Sequence, residues 1–528
     1  MVRIHDVKLN LDDKEEVIKK KIAKKLKVPI DYIVRYNLFK EAVDARNKED
    51  IRLVCGYDVE LTKEEVYLKK FPNMKSPDNK YQYVECGELP LTYAPIVVGT
   101  GPCGLFAGLI LAQMGYNPII IERGKHIDAR VKDVENFWTT GNFNPNSNVQ
   151  FGEGGAGTFS DGKLVTQIKN KRGTKVLEEF VRAGAPEEIL YNNKPHIGTD
   201  ILRDVVKNIR LEIEKLGGEF RFETCLTNIK EENGKLVAIE VNNCEWINAE
   251  VCVLALGHSA RDTFSMLHTS NVEIAQKPFA MGMRIEHLQE WIDEAQYGEF
   301  KDHPNLRPAD YKAVHHCDNG RTVYSFCMCP GGYVVASASE ENAIVTNGMS
   351  EFKRDGKNAN SGILVNVKPE DFGSENPLAG VELQRNLEKL AYKLGGENYN
   401  APVQTVGDFL NNKETTKIGI VKPTYKPDVK GANLRANLPT EIGNSIAEAI
   451  EVFGKKIKNF DHKEAIFTGF ETRSSSPIRI FRESKTFESN ISGLYPAGEG
   501  AGYAGGITSA GVDGIMVAEA IAKKYCNN

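Results

Sequence analysis

The chain has 528 residues, 41% hydrophobic and 26% charged, with a formal net charge of -5 and 10 cysteines. That composition belongs to a globular protein with ample core, and at ~150 residues per domain it predicts roughly three domains. The acidic balance argues against a surface that coats nucleic acid, and no apolar stretch reaches the ~20 residues that span a bilayer. The opening residues, MVRIHDVKLNLDDKEE, carry no apolar signal core. With dispersed cysteines, that makes a cytoplasmic location the expectation.

Residues Met1 to Thr92 read as a small α/β domain. Ile4–Leu9 alternates like a strand, Lys14–Lys27 sets Val17, Ile18, Ile22 and Leu26 on one helical face, and Ile51–Leu61 reads as a second strand. The lysines of that helix (Lys19, Lys20, Lys21, Lys24, Lys25, Lys27) are matched by nearby acids, so a solvated face is expected rather than a nucleic-acid surface. Phe71–Pro90, rich in proline, asparagine and lysine, reads as a linker.

Tyr93 to Gly124 carries the strongest local pattern: an apolar run (Pro95–Val98), a glycine turn, an apolar helix, and a second apolar run (Pro118–Ile121) closed by Glu122. This is a β-α-β unit with a dinucleotide fingerprint. Gly99 permits the turn, Gly101 leaves room for a pyrophosphate against the backbone, and Gly104 lets helix and strand lie close. Pro102 and Cys103 open the helix, whose N-terminus favours phosphate. Glu122, followed by Arg123, lies near the expected spacing of about 20 residues for an acid that accepts ribose hydroxyls.

Val149–Leu164 follows, with Gly152, Gly154, Gly155 and Gly157 around Ala156, then Thr158, Ser160 and Asp161. Bare backbone and hydroxyls in that density suit close approach to a ligand. Ile201–Leu216 is a predicted helix stopped by Gly217-Gly218. A strand at Glu219–Glu223 and a meander beginning at Leu226 with a turn at Asn233-Gly234 come next. Val251–Leu256 ends in Gly257-His258-Ser259. Between Asn271 and Phe460 strands and turns alternate, as in an inserted domain. There Met281, Met283 and Ile285 share one strand face, and Gly282, Arg284 and Glu286 the other. Arg284 is the candidate for an anionic substrate, with pairing to Glu286 or a neighbour as the alternative. Tyr324–Ala338 reads as a hairpin turning at Pro330-Gly331-Gly332, with Cys327 and Cys329 on one face. A redox pair or a metal site with Cys317 are options for these thiols, and burial as small apolar side chains is the reading taken. No metal is expected, since no second CxxC or histidine cluster completes a zinc set. The chain closes on GLYPAGEG and a glycine-led helix, which brings Gly498, Glu499, Gly506, Ile507 and Thr508 together.

With these strings in place, from FGEGGAGTFSDGKL and GHSARD through GMRIEH, CMCPGG and ETRSSSP to GLYPAGEGAGYAGGI, the chain resembles bacterial FAD-dependent, NAD(FAD)-utilising dehydrogenases of unassigned substrate, with an FAD-binding fold of the glutathione-reductase type. The resemblance implies an α/β fold: a discontinuous Rossmann-like FAD-binding domain (93–270 and 461–528), an inserted mixed α/β cap (271–460), and the small N-terminal domain with its linker (1–92). It implies non-covalent FAD, with the fingerprint and Glu122 on the ADP half. The loop from Gly154 to Ser160, together with Leu226, Leu256, Gly257 and the C-terminal residues named above, would serve the rest. It further implies an oxidoreductase moving hydride on a small-molecule substrate, with NAD(P)H as a transient donor. Cys103 departs from the small residue usual in that turn, and Thr158, Ser160 and Asp161 stand where disulfide reductases of this fold carry a CxxxxC, which disfavours a disulfide-reductase reading. A nucleic-acid-modifying flavoprotein and a non-catalytic flavin-binding regulator are the alternatives. The sequence names no catalytic residue, no substrate and no oligomeric state.

Overall fold

The computed structural model describes residues 1–166 and 170–527. At the N-terminus, strands Val2–Asn10, Arg52–Leu61 and Ile33–Asp44 form an antiparallel sheet in that spatial order. Helix Glu15–Leu26 covers it through Ile22, Ala23 and Leu26. The middle strand in sequence, Ile33–Asp44, left no period-two signal, because it buries only Ile33 and exposes Val34 and Val43.

The segment expected to be a linker is instead a strap tied to the C-terminal helix Ile507–Lys524 and to helix Pro102–Gln113. The Tyr81 hydroxyl donates to Glu519 at 2.9 Å, Tyr83 to Gln113 at 2.8 Å, and the Gly87 amide to the Ala522 carbonyl at 2.8 Å. Its aromatics and backbone donors are satisfied there, which composition alone does not report.

Behind the strap lies a five-stranded parallel sheet in the order Leu494–Pro496, Cys252–Leu254, Ile96–Val98, Ile119–Ile121, Glu219–Arg221. Four of these strands are covered on both faces. Val97, Ile120 and Val253 join the core under helices Pro102–Gln113, Thr199–Lys215 and Ile507–Lys524, whereas Ile96, Val98 and Ile121 pack against the meander Leu226–Asn248. Fingerprint strand Ile96–Val98 has its sequence successor on one side and late-returning Cys252–Leu254 on the other. A crevice therefore opens at the carboxyl ends of the strands, where ligands bind in such sheets. This is the expected Rossmann-like α/β architecture.

The second large sheet has seven strands, centred on Phe279–Leu288, which pairs along ten residues with Asn358–Val367. Met281, Met283 and Ile285 do share the core face, against helix Thr440–Lys456. Two expectations change here. Strand Ile466–Glu471, placed by sequence in the returning flavin-domain segment, pairs with Phe279–Leu288 inside the cap sheet. The expected hairpin at Tyr324–Ala338 does not form: Thr322–Cys329 stays in the large sheet, while Tyr333–Ala336 pairs with Thr346–Met349 in a separate ribbon. Gly331 at φ +49° turns the chain away between them. Among the described residues no helix is long and apolar enough to cross a membrane.

Candidate functional site

The crevice is a cavity of about 400 Å³ between the parallel sheet and the cap. Its fingerprint side is shaped by missing side chains. A Cβ on Gly99, at φ +102°, would stand 2.3 Å from the Ala255 carbonyl oxygen, and one on Gly104 would stand 1.9 Å from the Gly99 oxygen. Both glycines are therefore packing requirements of the turn. A Cβ on Gly101 meets only the Gly155 Cα, at 3.9 Å, and otherwise points into open cavity. The second glycine loop leans over the first, with Gly157 beside Pro102 and Ile507. Helices Pro102–Gln113 and Ile507–Lys524 both begin at this wall, so two partial positive charges face it.

Of the residues singled out by sequence, Gly99, Gly101, Pro102, Cys103, Glu122, Arg123, Gly155, Ala156, Gly157, Ser160, Leu226, Leu256, Gly257, Glu499, Gly506 and Ile507 line the cavity. Five do not. Gly104 and Gly498 sit behind the wall as close-packing positions, the latter against Cys103. Gly154 donates its amide to the Thr100 carbonyl. Thr158 is fully buried, and its carbonyl accepts from Thr199 at 2.7 Å. Thr508 donates to the Leu164 carbonyl at 2.8 Å.

Glu122 also ties the wall together. One carboxylate oxygen accepts from the Thr100 amide (3.0 Å) and hydroxyl (2.7 Å), the other from the amides of Gly124 (2.9 Å) and Gly152 (3.0 Å). A carboxylate offers about four acceptor sites. Glu122 therefore clamps the two glycine loops together while lining the cavity. Arg123 is held by Asp262 at 2.8 Å and stacks on Phe151.

Sequence reasoning missed Arg130, which is wholly buried and donates to the carbonyls of Asn148, Val149, Gly152 and Glu153. It fills the space a Cβ on Gly152 would need, so it sets the path of the second loop from below. Burial lowers its guanidinium to about 10. No local pattern marks a single arginine on an amphipathic helix for this task.

The cap side is built from charge. Arg284, the substrate candidate, is fully buried and does not line the cavity; it pairs with Glu471 at 2.8 Å and not with Glu286. Glu471 does line it, and burial pushes its carboxyl up to about 7 against the Arg284 charge. Glu499 is likewise pushed up to about 7 by burial, with Lys277 opposing. Asp161 is buried under Lys163 and Arg354; burial would raise it, but those charges hold it at about 2. Arg473 lines the cavity, donates to Ser259 at 3.0 Å, and shares Glu388 with Arg261. Burial, with Arg473 and Arg261 nearby, drops the His258 imidazole to about 3, so it is neutral.

Cys329 is buried, as expected for a small apolar side chain, but Cys327 lines the cavity. Away from it, His315, Cys317 and Glu448 converge within 4.8 Å of one another. His315 meets Glu448 at 2.6 Å and Cys317 donates to the Ser445 carbonyl, which satisfies the group without an ion.

Residues 278–474 match the family described as "FAD-dependent protein, C-terminal domain-like", and residues 1–60 match a domain of unknown function. An uncharacterized protein of Clostridium beijerinckii is 49% identical over 528 residues, covering 99% of each chain. Among solved structures, L-proline dehydrogenase from P. horikoshii aligns at TM-score 0.35 with 13% identity, over 82% of this chain and 94% of that one. Glycine oxidase from Bacillus cereus aligns at TM-score 0.33 with 11% identity, over 82% and 98%. CtdE in complex with FAD aligns at TM-score 0.31 with 15% identity, over 80% and 82%. Likeness at this level says nothing about activity.

Proposed function

The chain belongs to the family of the clostridial protein, and from that premise and its FAD-dependent C-terminal domain we propose that it is an FAD-dependent oxidoreductase acting on a small molecule. The observation that carries this reading is one continuous cavity, with bare glycine backbone on one wall and buried ionisable groups on the other. When bound, FAD supplies the two-electron chemistry, and the protein orients it.

The cavity fits that cofactor. Gly101 and the Gly155–Gly157 loop leave backbone bare where a pyrophosphate needs to approach, with two helix N-termini aimed at the same wall. Glu471 and Glu499, both near 7, hold or release a proton at neutral pH, as a general acid or base must. Arg473, kept in place by Glu388, offers cationic donors to an acidic substrate.

The donor reads as NAD(P)H without a nucleotide domain of its own, because Leu254–Ala260 (LALGHSA) lacks the glycine spacing of a second fingerprint. Donor and acceptor then share the cleft in turn. Initial velocities should give parallel double-reciprocal lines, with inhibition at high acceptor. Intersecting lines and a trapped ternary complex would refute the shared cleft.

A further inference from the structure

One cavity group has no part in that reading. Strand Thr322–Cys329 pairs regularly with Asn358–Val367 as far as Phe326 opposite Gly362, and pairing resumes at Cys329 opposite Asn360. Three steps on one strand face two on the other, which is a β-bulge, a device that re-aims a side chain. Cys327 sits in it at φ +44°, a conformation rare for a residue with a Cβ. The result gives two neighbouring thiols different surroundings: Cys327 turns to the cavity, and Cys329 stays buried behind it.

Cations pin this bulge. Arg284 donates to the Cys327 carbonyl at 2.9 Å, and the Lys163 ammonium donates to the Met328 carbonyl. Arg284 is in turn held by Glu471 and Asn360, which explains its burial. Cys329 Sγ lies 3.2 Å from the Cys327 carbonyl oxygen. Its thiol hydrogen-bonds Cys327, and with help from Lys163 and Arg284 this outweighs burial and lowers Cys327 to about 6. Cys329 moves well upward for the same reason, together with burial. Charge and hydrogen bonding thus favour the thiolate at Cys327 and keep the proton on Cys329.

We propose that Cys327 and Cys329 form a dithiol that reduces a small disulfide within this cavity. The Cys327 thiolate attacks one sulfur of the substrate, forming a mixed disulfide and expelling the other half as a thiolate, which takes a proton. Cys329 then loses its proton, attacks the Cys327 sulfur and expels the second half as a thiol. A Cys327–Cys329 disulfide remains, and two electrons have passed to the substrate. Glu471 and Glu499 line the same cavity and exchange the protons. A carbon electrophile would need only the first thiol; the second, held behind it, is what a disulfide requires. Returning two electrons and two protons from reduced FAD to the pair rests on the oxidoreductase reading, whereas the exchange itself does not.

The test treats the purified full-length protein with 2-hydroxyethyl disulfide, quenches with an alkylating agent and maps thiols by mass spectrometry. Wild type should yield the internal Cys327–Cys329 disulfide with no lasting adduct. Cys329→Ser should accumulate a hydroxyethyl adduct on Cys327 at least about tenfold faster than on exposed Cys86 or Cys244, and Cys327→Ser should leave Cys329 unmodified. A lasting adduct on Cys327 in wild type, or a Cys327 no faster than Cys86, would overturn the proposal. Exchange without any FAD binding would sink the oxidoreductase reading and leave the pair standing. Flavin turnover without exchange would do the reverse.

Discussion

The two walls of the cavity are made by opposite means. The nucleotide wall is steric: Gly99, Gly101, Gly104 and Gly155 work by lacking atoms, and Glu122 and Arg130 hold their loops through backbone amides and carbonyls. The facing wall is electrostatic and draws on both the cap and the flavin-domain segment, with Arg284 on Glu471, Arg473 and Arg261 on Glu388, and Lys163 and Arg354 on Asp161, all three carboxylates buried. Backbone positioning suits a ligand whose shape is fixed, such as a dinucleotide. Buried charge is held at the cost of desolvation and shifts pKa values, which suits proton transfer.

The largest test of that contrast removes one charge from the cap. Glu388→Gln keeps the shape but removes the ion-pair partner of Arg473 and leaves Arg261 paired with Glu340 alone. Breaking a buried pair from one side costs about 3–5 kcal/mol. Hydrogen exchange of the Phe279–Leu288 amides should register that loss while the Ile96–Val98 amides stay protected. Equal loss in both sheets would show that the walls are not separable.

A smaller effect comes from His287, fully buried, with Nε2 at 2.8 Å from the Phe460 carbonyl and Nδ1 without a partner among the described residues. Burial lowers it from 6.5 to about 4. The unfolded chain therefore binds the proton first, and stability is lost as pH falls from 6.5 toward about 4. Linkage sets the loss at about 3 kcal/mol at most. His287→Gln should flatten the pH dependence of cap unfolding across that window; an unchanged slope would place the proton elsewhere.

The nucleotide wall should respond to atoms rather than to pH. Gly104→Ala puts a methyl group 1.9 Å from the Gly99 oxygen, for a cost of about 1–3 kcal/mol. That loss should be the same at pH 5 and pH 8, and a pH-dependent loss would blur the contrast.

The same contrast decides what the sequence discloses. The β-α-β fingerprint is local, with turn, helix and second strand inside one short span, so its glycines and its place in the parallel sheet are readable in order. Strand Ile33–Asp44 is hidden because its sheet buries little of it, and the strap at 71–90 because tyrosines bonded to distant helices look like any polar segment. The cap wall is hidden by distance along the chain: Arg284 and Glu471 lie 187 residues apart, and Arg354 and Asp161 lie 193 apart. Cys327 was visible as a residue but not as a site, since only the bulge separates its direction from that of Cys329. Glu122 was placed correctly at its strand end, yet its clamp on Gly152 depends on a loop 30 residues later.

The most direct test of the central claim is the flavin content of wild type and of Gly101→Val. Wild type should carry one FAD per chain, released intact by heat or acid. Gly101→Val should keep the fold, because a Cβ there meets only Gly155 at 3.9 Å, yet bind no FAD, because the branched side chain fills the pyrophosphate path. A folded Gly101→Val protein with stoichiometric FAD, or a wild-type protein that takes up none when FAD is supplied, would contradict the account.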